Sequence, residues 1–259
     1  MGIREEVVIL DKGAHTPVLE WPLAVYTECT PEAVTKQHYE SLDRLRTDYV
    51  DIYMLHRDDP SVPAGEFIDV LNRHISRGTI RAIGASNWSL ERVAEANAYA
   101  AAHGLQGFGA MSNQLSLARM EHPVYPGAIS AGDSESRQWL ADNDMPLFPW
   151  SSQARGFFLE NQATFLPRDA ADRQAGDIYL HWTSDANLER KERARILGAE
   201  RGTTAMAIAL AWVLHQKFRT YSLVGARTPD ELTSSAAATA VELTPLEVAW
   251  LALETDVRS

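Results

Sequence analysis

Cysteine is almost absent from this chain: Cys29 stands alone among 259 residues. One thiol excludes an intrachain disulfide and a cysteine metal site, and the chain is expected in a reducing, cytoplasmic compartment. No run of about 18 apolar residues occurs, so no membrane-spanning helix is expected. The opening MGIREEVVILDKG has no basic flank followed by an apolar core, so it does not read as a signal peptide. Basic residues are in deficit. A net charge of -11 repels phosphate backbones, which argues against nucleic acid as a partner. No GxGxxG turn follows any strand-like run, which removes the usual dinucleotide fingerprint of an open doubly wound sheet. The acid pair Asp58-Asp59 has no third ligand at a helical or hairpin offset, so no metal site is expected.

What is present is ordinary globular material, 45% hydrophobic and 23% charged. A chain of this length hides roughly three quarters of its unfolded surface without staples. Six short apolar runs punctuate it: Val7–Asp11, Val50–Leu55, Ile80–Ala85, Gly109–Gln114, Pro146–Trp150 and Thr220–Val224. Most are continuous rather than alternating, as in parallel strands covered on both faces. Helical patterns lie between them. Thr30-Pro31-Glu32 opens one that runs to about Leu45, with Val34, His38, Ser41, Leu42 and Leu45 on one face. Glu66–Arg77 follows, with Phe67, Val70, Leu71 and Ile75 inward and Gly78 as its stop. Ser89–His103, Ser134–Asn143, Asn187–Glu200 and Thr204–Gln216 are further helices, and Thr228-Pro229 and Thr244-Pro245 cap two more. Arg190, Lys191, Arg193 and Arg195, among Glu189 and Glu192, read as a solvated helix face. Gly127–Gly132 and Leu159–Gly176 read as irregular, and the longer stretches Glu121–Asp133 and Leu159–Trp182 as mouth loops.

Strand then helix, repeated, means right-handed crossovers and a parallel sheet. In a parallel barrel the chemistry sits at the C-terminal ends of the strands. The residues there are Lys12, His56, Ser86-Asn87, Gln114, Trp150-Ser151 and Gly225-Ala226-Arg227. Nearly all are polar or aromatic although the strands before them are apolar, which is a site signal. His15 and His74 read as structural or surface residues.

The motifs are more specific than the pattern. LDRLRTDYVDIYMLHRDDP (Leu42–Pro60) resembles the segment of aldo-keto reductases that delivers their catalytic histidine, and ILDKGAH (Ile9–His15) the strand that delivers their lysine. GTIRAIGASNW (Gly78–Trp88), SNQLSL (Ser112–Leu117), PLFPWSSQARGFF (Pro146–Phe158) and SLVGARTPDEL (Ser222–Leu232) are similar to the motifs that follow, in family order and spacing. The resemblance covers essentially the whole chain. It implies one α/β domain over residues 1–259, a (β/α)8 TIM barrel of which six of eight β/α units are legible. The first run begins close to Met1, so the first two units are expected to be missing at the N-terminus.

The resemblance also implies chemistry: hydride passes between a nicotinamide, NADP(H) or NAD(H), and a small-molecule carbonyl or alcohol, while a tyrosine supplies the proton. Lys12 matches the catalytic lysine and His56 the catalytic histidine. The partner aspartate and tyrosine have no counterpart here; Tyr53, inside a strand, and Tyr26, in a loop, are poor substitutes. Ser86, Asn87 and Gln114 match residues at the nicotinamide carboxamide, and Trp150 the ring that stacks on it. Ser151, Gln153 and Gly156 line the pyrophosphate loop, and Gly225, Ala226 and Arg227 the phosphate-binding end of the last strand. Glu231 stands near the adenosine 2′-position and Ser235 replaces an asparagine used on the adenine. Glu231 favours a ribose diol and Arg227 a phosphate, leaving the dinucleotide open. Two other readings stand beside the reductase: a non-catalytic dinucleotide-binding barrel, and a part completed by another domain or by self-association through exposed barrel edges.

Overall fold

Thr30 ends an extended segment and starts a helix. Its side chain accepts from the Ala33 N–H, and Pro31 occupies the first helical position, where no N–H is needed. The same device recurs along the chain. Ser89, Asp133, Ser184, Thr204, Thr228 and Thr244 each accept a backbone N–H three residues on, and Thr244 with Glu247 forms a full capping box. The computed structural model describes residues 2–15, 29–159 and 173–258, which cluster into two compact units, Met1–Ser112 and Asn113–Ser259.

In the first unit β1 (Leu10–Gly13), β2 (Val50–Leu55) and β3 (Ile80–Ala85) form a parallel sheet in the order β1-β2-β3. Lys12 is level with Met54, and Leu55 with Ala85; Ala85 bridges on to Met111. The helices are α1 (Pro31–Leu45), α2 (Ala64–Ser76) and α3 (Leu90–His103), the last closed by Gly104 in the left-handed conformation. Tyr53, Met54, Leu55, Phe67, Ile83 and Trp88 are completely buried. That explains the mostly apolar character of β2 and β3, whose polar exceptions Asp51 and Arg81 pair with each other near the strand starts.

The second unit holds α4 (Ser134–Asp142), α5 (Arg173–Trp182), α6 (Asp185–Glu200), α7 (Ala205–Leu214), α8 (Pro229–Ala237) and α9 (Pro245–Leu251). α7 is apolar all round and buried from Ala205 to Val213, so it is the core helix of this unit.

Several expectations are corrected. The first strand begins at Leu10 rather than Val7. Arg4 ties a 3₁₀ turn (Arg4–Glu6) to the Tyr49 carbonyl, Thr47 and Asp51, leaving Val7 and Val8 exposed ahead of the sheet. Lys12 therefore lies within β1. The runs Gly109–Gln114, Pro146–Trp150 and Thr220–Val224 pair only through isolated parallel bridges, Ala85 with Met111, Gln114 with Ser130 and Trp150, and Leu147 with Thr220. Pro146 and Pro149 have no N–H to give a ladder. The stretch ending at Trp182 contains α5, whose Ile178 and Trp182 are fully buried one helical turn apart. Most of Leu159–Gly176, like Tyr26, lies outside the described residues. The α6 cations are not all solvated. Arg190 is buried and donates to Asn187 and the Ala252 carbonyl, and Lys191 donates to the Phe157 and Leu159 carbonyls. On α1, Leu45 is exposed; on α2, His74 takes the buried place ahead of Ile75.

Candidate active site

Parallel pairing brings the ends of β1, β2 and β3 to one level. The His56 N–H donates to the Gly13 carbonyl (2.7 Å), that of Ser86 to Leu55 (2.7 Å) and that of Ser112 to Ala85 (2.8 Å). This backbone relay places Lys12, His56, Ser86 and Asn87 at successive strand ends of the first unit. Lys12 Nζ donates to Ser112 Oγ at 2.7 Å and to Ser86 Oγ at 3.4 Å. Ser86 spends its own proton on the Ser112 carbonyl (2.7 Å) and accepts from Asn87 Nδ2 (3.2 Å). Asn87 holds a left-handed backbone (φ 56°), which asparagine tolerates, and also donates to the His56 carbonyl. Ser86 and Asn87 are buried, and Lys12 is half-buried.

The charges in this cluster act on one another. Burial, then the Arg57 guanidinium, pushes Lys12 down to about 8. Burial, then Lys12, His15 and Arg57, pushes His56 down to about 3, so its imidazole stays neutral over the physiological range. His15, read from the sequence as a structural or surface residue, has its ring centroid 4.7 Å from that of His56. Ser112 and Arg57 were also not singled out. Their signal was positional, since Ser112 is level with Ser86 one strand over, and Arg57 follows His56. Trp88 Nε1 donates to the Arg57 carbonyl (3.0 Å), pinning the turn after β2. Asp58 is held by Arg92 (3.2 Å). His74 is buried in α2 against His38.

The remaining expected residues lie in the second unit. Gln114 bridges to Trp150, and its amide is engaged at both ends: Nε2 donates to Ser116 Oγ (2.7 Å) and Oε1 accepts from Ser130 Oγ (2.7 Å). Trp150 is half-buried and stacked on Tyr125, with 5.3 Å between ring centroids. After it, Ser151, Ala154, Arg155 and Gly156 all have positive φ, a tightly wound loop in which only Gly156 is a glycine. Gln153 Nε2 reaches Ser235 Oγ (3.0 Å) on α8, tying that loop to the helix. Gly225, Ala226 and Arg227 are exposed. Glu231 accepts both the Arg227 N–H (2.7 Å) and its guanidinium (3.2 Å), so the one cation of this segment is already matched by an acid.

The comparisons with known proteins agree with one another. The model of the "Aldo/keto reductase family" matches residues 1–252. The aldo-keto reductase YhdN of Bacillus subtilis is 27% identical over 89% of this chain and 65% of its own length. An aldo-keto reductase of Fusarium vanettenii is 30% identical over 82% of this chain and 54% of its own. The norsolorinic acid reductase stcV of Emericella nidulans is 27% identical over 95% and 60%. The chain thus spans somewhat over half the length of these relatives. Among solved structures, a thermostable aldo-keto reductase in complex with the inhibitor epalrestat matches with a TM-score of 0.65 at 19% identity, covering 87% of this chain and 67% of that one.

Proposed function

Because the chain belongs to the aldo/keto reductase family, whose fold is the (β/α)8 barrel, we propose that it serves in nicotinamide-dependent interconversion of a carbonyl compound and an alcohol. The carrying observation is the half-buried Lys12 amine on two serine hydroxyls, beside the neutral imidazole of His56. When bound, the reduced nicotinamide supplies the hydride.

The residues present fit such a group. Trp150 Nε1 and Ser222 Oγ are buried without a hydrogen-bond partner among the described residues. Their segments are joined by the Leu223 N–H to the Pro149 carbonyl. Unsatisfied polar atoms there are costly unless a ligand meets them. By the family resemblance alone, Ser86 and Asn87 of the first unit would hold the carboxamide, and in the second unit Gln114 would share that role and Trp150 would take the ring face. Ser151, Gln153, Gly156, Gly225, Ala226 and Arg227 would hold the phosphates, and Ser235 would face the adenine. With Arg227 already paired to Glu231, a dinucleotide without a 2′-phosphate is favoured.

His56, being neutral, donates one N–H to the substrate oxygen without bringing a buried charge. Lys12 exchanges its proton near pH 8. Tyr53 does not take part. Its hydroxyl donates to the Val34 carbonyl (3.4 Å), and burial holds its pKa far above the usual range. Among the described residues this cluster holds no tyrosine donor, and a general acid is typically worth about 10²- to 10⁴-fold in rate, so slow turnover is expected.

The test is cofactor oxidation with a simple aldehyde, alongside fluorescence titrations with NADH and NADPH. The expected result is NADH bound more tightly than NADPH, a gap that Glu231→Gln narrows, and slow turnover lowered at least about tenfold by His56→Ala. Fast turnover indifferent to His56→Ala would overturn the assignment. Dinucleotide binding with no turnover at all would favour the non-catalytic reading.

A further inference from the structure

The support given to Lys12 has a consequence beyond hydride transfer. A carboxylate beside a lysine holds it as ammonium. Among the described residues the hydrogen-bond partners of Nζ are two uncharged hydroxyls, Ser112 Oγ at 2.7 Å and Ser86 Oγ at 3.4 Å. Ser86 has given its own hydrogen to the Ser112 carbonyl and takes another from Asn87, so its oxygen is fixed in place. Arg57, buried just past the end of β2, acts on Lys12 as a neighbouring cation. An amine that is desolvated, set beside a second cation and anchored by neutral groups loses its proton cheaply and becomes a nucleophile. Lys12 as a whole is half-buried rather than sealed.

We propose that Lys12 captures carbonyl compounds covalently, forming an imine through Nζ at the end of β1. The inference rests on the carbonyl-binding reading above for its substrate class, but it needs no nicotinamide. The Nζ lone pair attacks the carbonyl carbon and a C–N bond forms. The carbonyl π pair moves to oxygen, which takes a proton and gives a carbinolamine. The C–O bond then breaks, and oxygen leaves as water carrying the two hydrogens that the amine has lost. Neutral His56 offers its N–H to the oxygen as charge develops on it, and solvent water carries protons from nitrogen to oxygen. No oxidant or reductant is consumed.

The chain's four lysines, Lys12, Lys36, Lys191 and Lys217, make the test selective within one sample. The full chain is incubated with benzaldehyde and cyanoborohydride, which adds hydride to the imine carbon and fixes it as a secondary amine. Peptide mass spectrometry then reads each lysine. At about pH 7.5, an amine titrating near 8 is on the order of a hundredfold richer in its neutral form than an ordinary lysine. The expected result is Lys12 modified at least about tenfold faster than Lys36 or Lys217, with a rate that rises through a midpoint near pH 8. Arg57→Met, which removes the neighbouring cation, moves that midpoint upward. Labelling of Lys12 no faster than Lys36 and Lys217 overturns the proposal, and that comparison stands whether or not the variant folds. Selective capture without cofactor oxidation supports the imine and removes the reductase reading. Cofactor oxidation with unselective labelling does the reverse.

Discussion

At the residue scale, the site depends on a glycine whose role is not visible in sequence. A Cβ on Gly13 would lie 1.8 Å from Tyr53 Oη and 2.8 Å from its Cζ. Tyr53 is completely buried, so its ring has no room to yield. Gly13→Ala is expected to destabilise the chain by about 1–3 kcal/mol, as overpacking does. Tyr53→Phe in the same chain should restore part of the loss, because it removes the atom in closest conflict. Urea midpoints at constant slope would measure both. An unchanged midpoint in Gly13→Ala would show that β1 moves away from Tyr53 freely, and the level of Lys12 with Met54 would not be fixed by this contact.

Between the helices and the sheet lies a buried histidine pair. His38 on α1 and His74 on α2 meet edge to face, 4.9 Å between centroids. Their Nε2 atoms are matched by Thr79 (3.0 Å) and Thr35 (3.1 Å). Their Nδ1 atoms are buried without a partner among the described residues. Tyr39 and Tyr53 face His38, while Arg73 and Arg77 bear on His74. Burial, then His74, pushes His38 down to about 4; burial, then Arg77 and Arg73, lowers His74. The unfolded chain therefore takes up these protons first as pH falls. Their contribution to stability is complete above about pH 6.5 and is lost toward pH 4. We expect urea midpoints to be level near neutrality and to fall through this window. His38→Gln should flatten part of the fall and leave the share due to His74 and His56. A slope unaltered in His38→Gln would remove this pair as its cause.

For the whole molecule, two facts bear on association. Among the described residues β1 has a strand partner only on its β2 side, and Val8, just ahead of it, is 74% exposed. A strand edge with no partner among the described residues, next to an exposed valine, would invite a second strand, while the net charge of -11 opposes self-contact at low salt. Sedimentation velocity is expected to show association that grows with protein concentration and with salt, and that Val8→Lys weakens. A monomer under all these conditions would show that this edge is covered. No described helix is long and apolar enough to cross a membrane.

Local chemistry was legible in the sequence wherever the signal lies within a few residues. The threonine and serine caps, the αL stop at Gly104 and the inner strands Val50–Leu55 and Ile80–Ala85 follow from short-range rules. The ordered motifs around Lys12, His56, Ser86 and Asn87 were enough to indicate the family. What depends on distant partners was not legible. Arg4 reaching Tyr49 moved the first strand to Leu10, and three apolar runs pair only through isolated bridges, one of them interrupted by Pro146 and Pro149. Ile178 and Trp182 form one buried face only because α5 packs there. Above all, the sequence supplies a lysine, but its titration near 8 is set by burial and Arg57, and its hydroxyl partners Ser86 and Ser112 lie 74 and 100 residues away. A side chain's identity is local. Its solvation and its charged neighbours exist only once the parallel strands are level, and those two quantities decide what Lys12 can do.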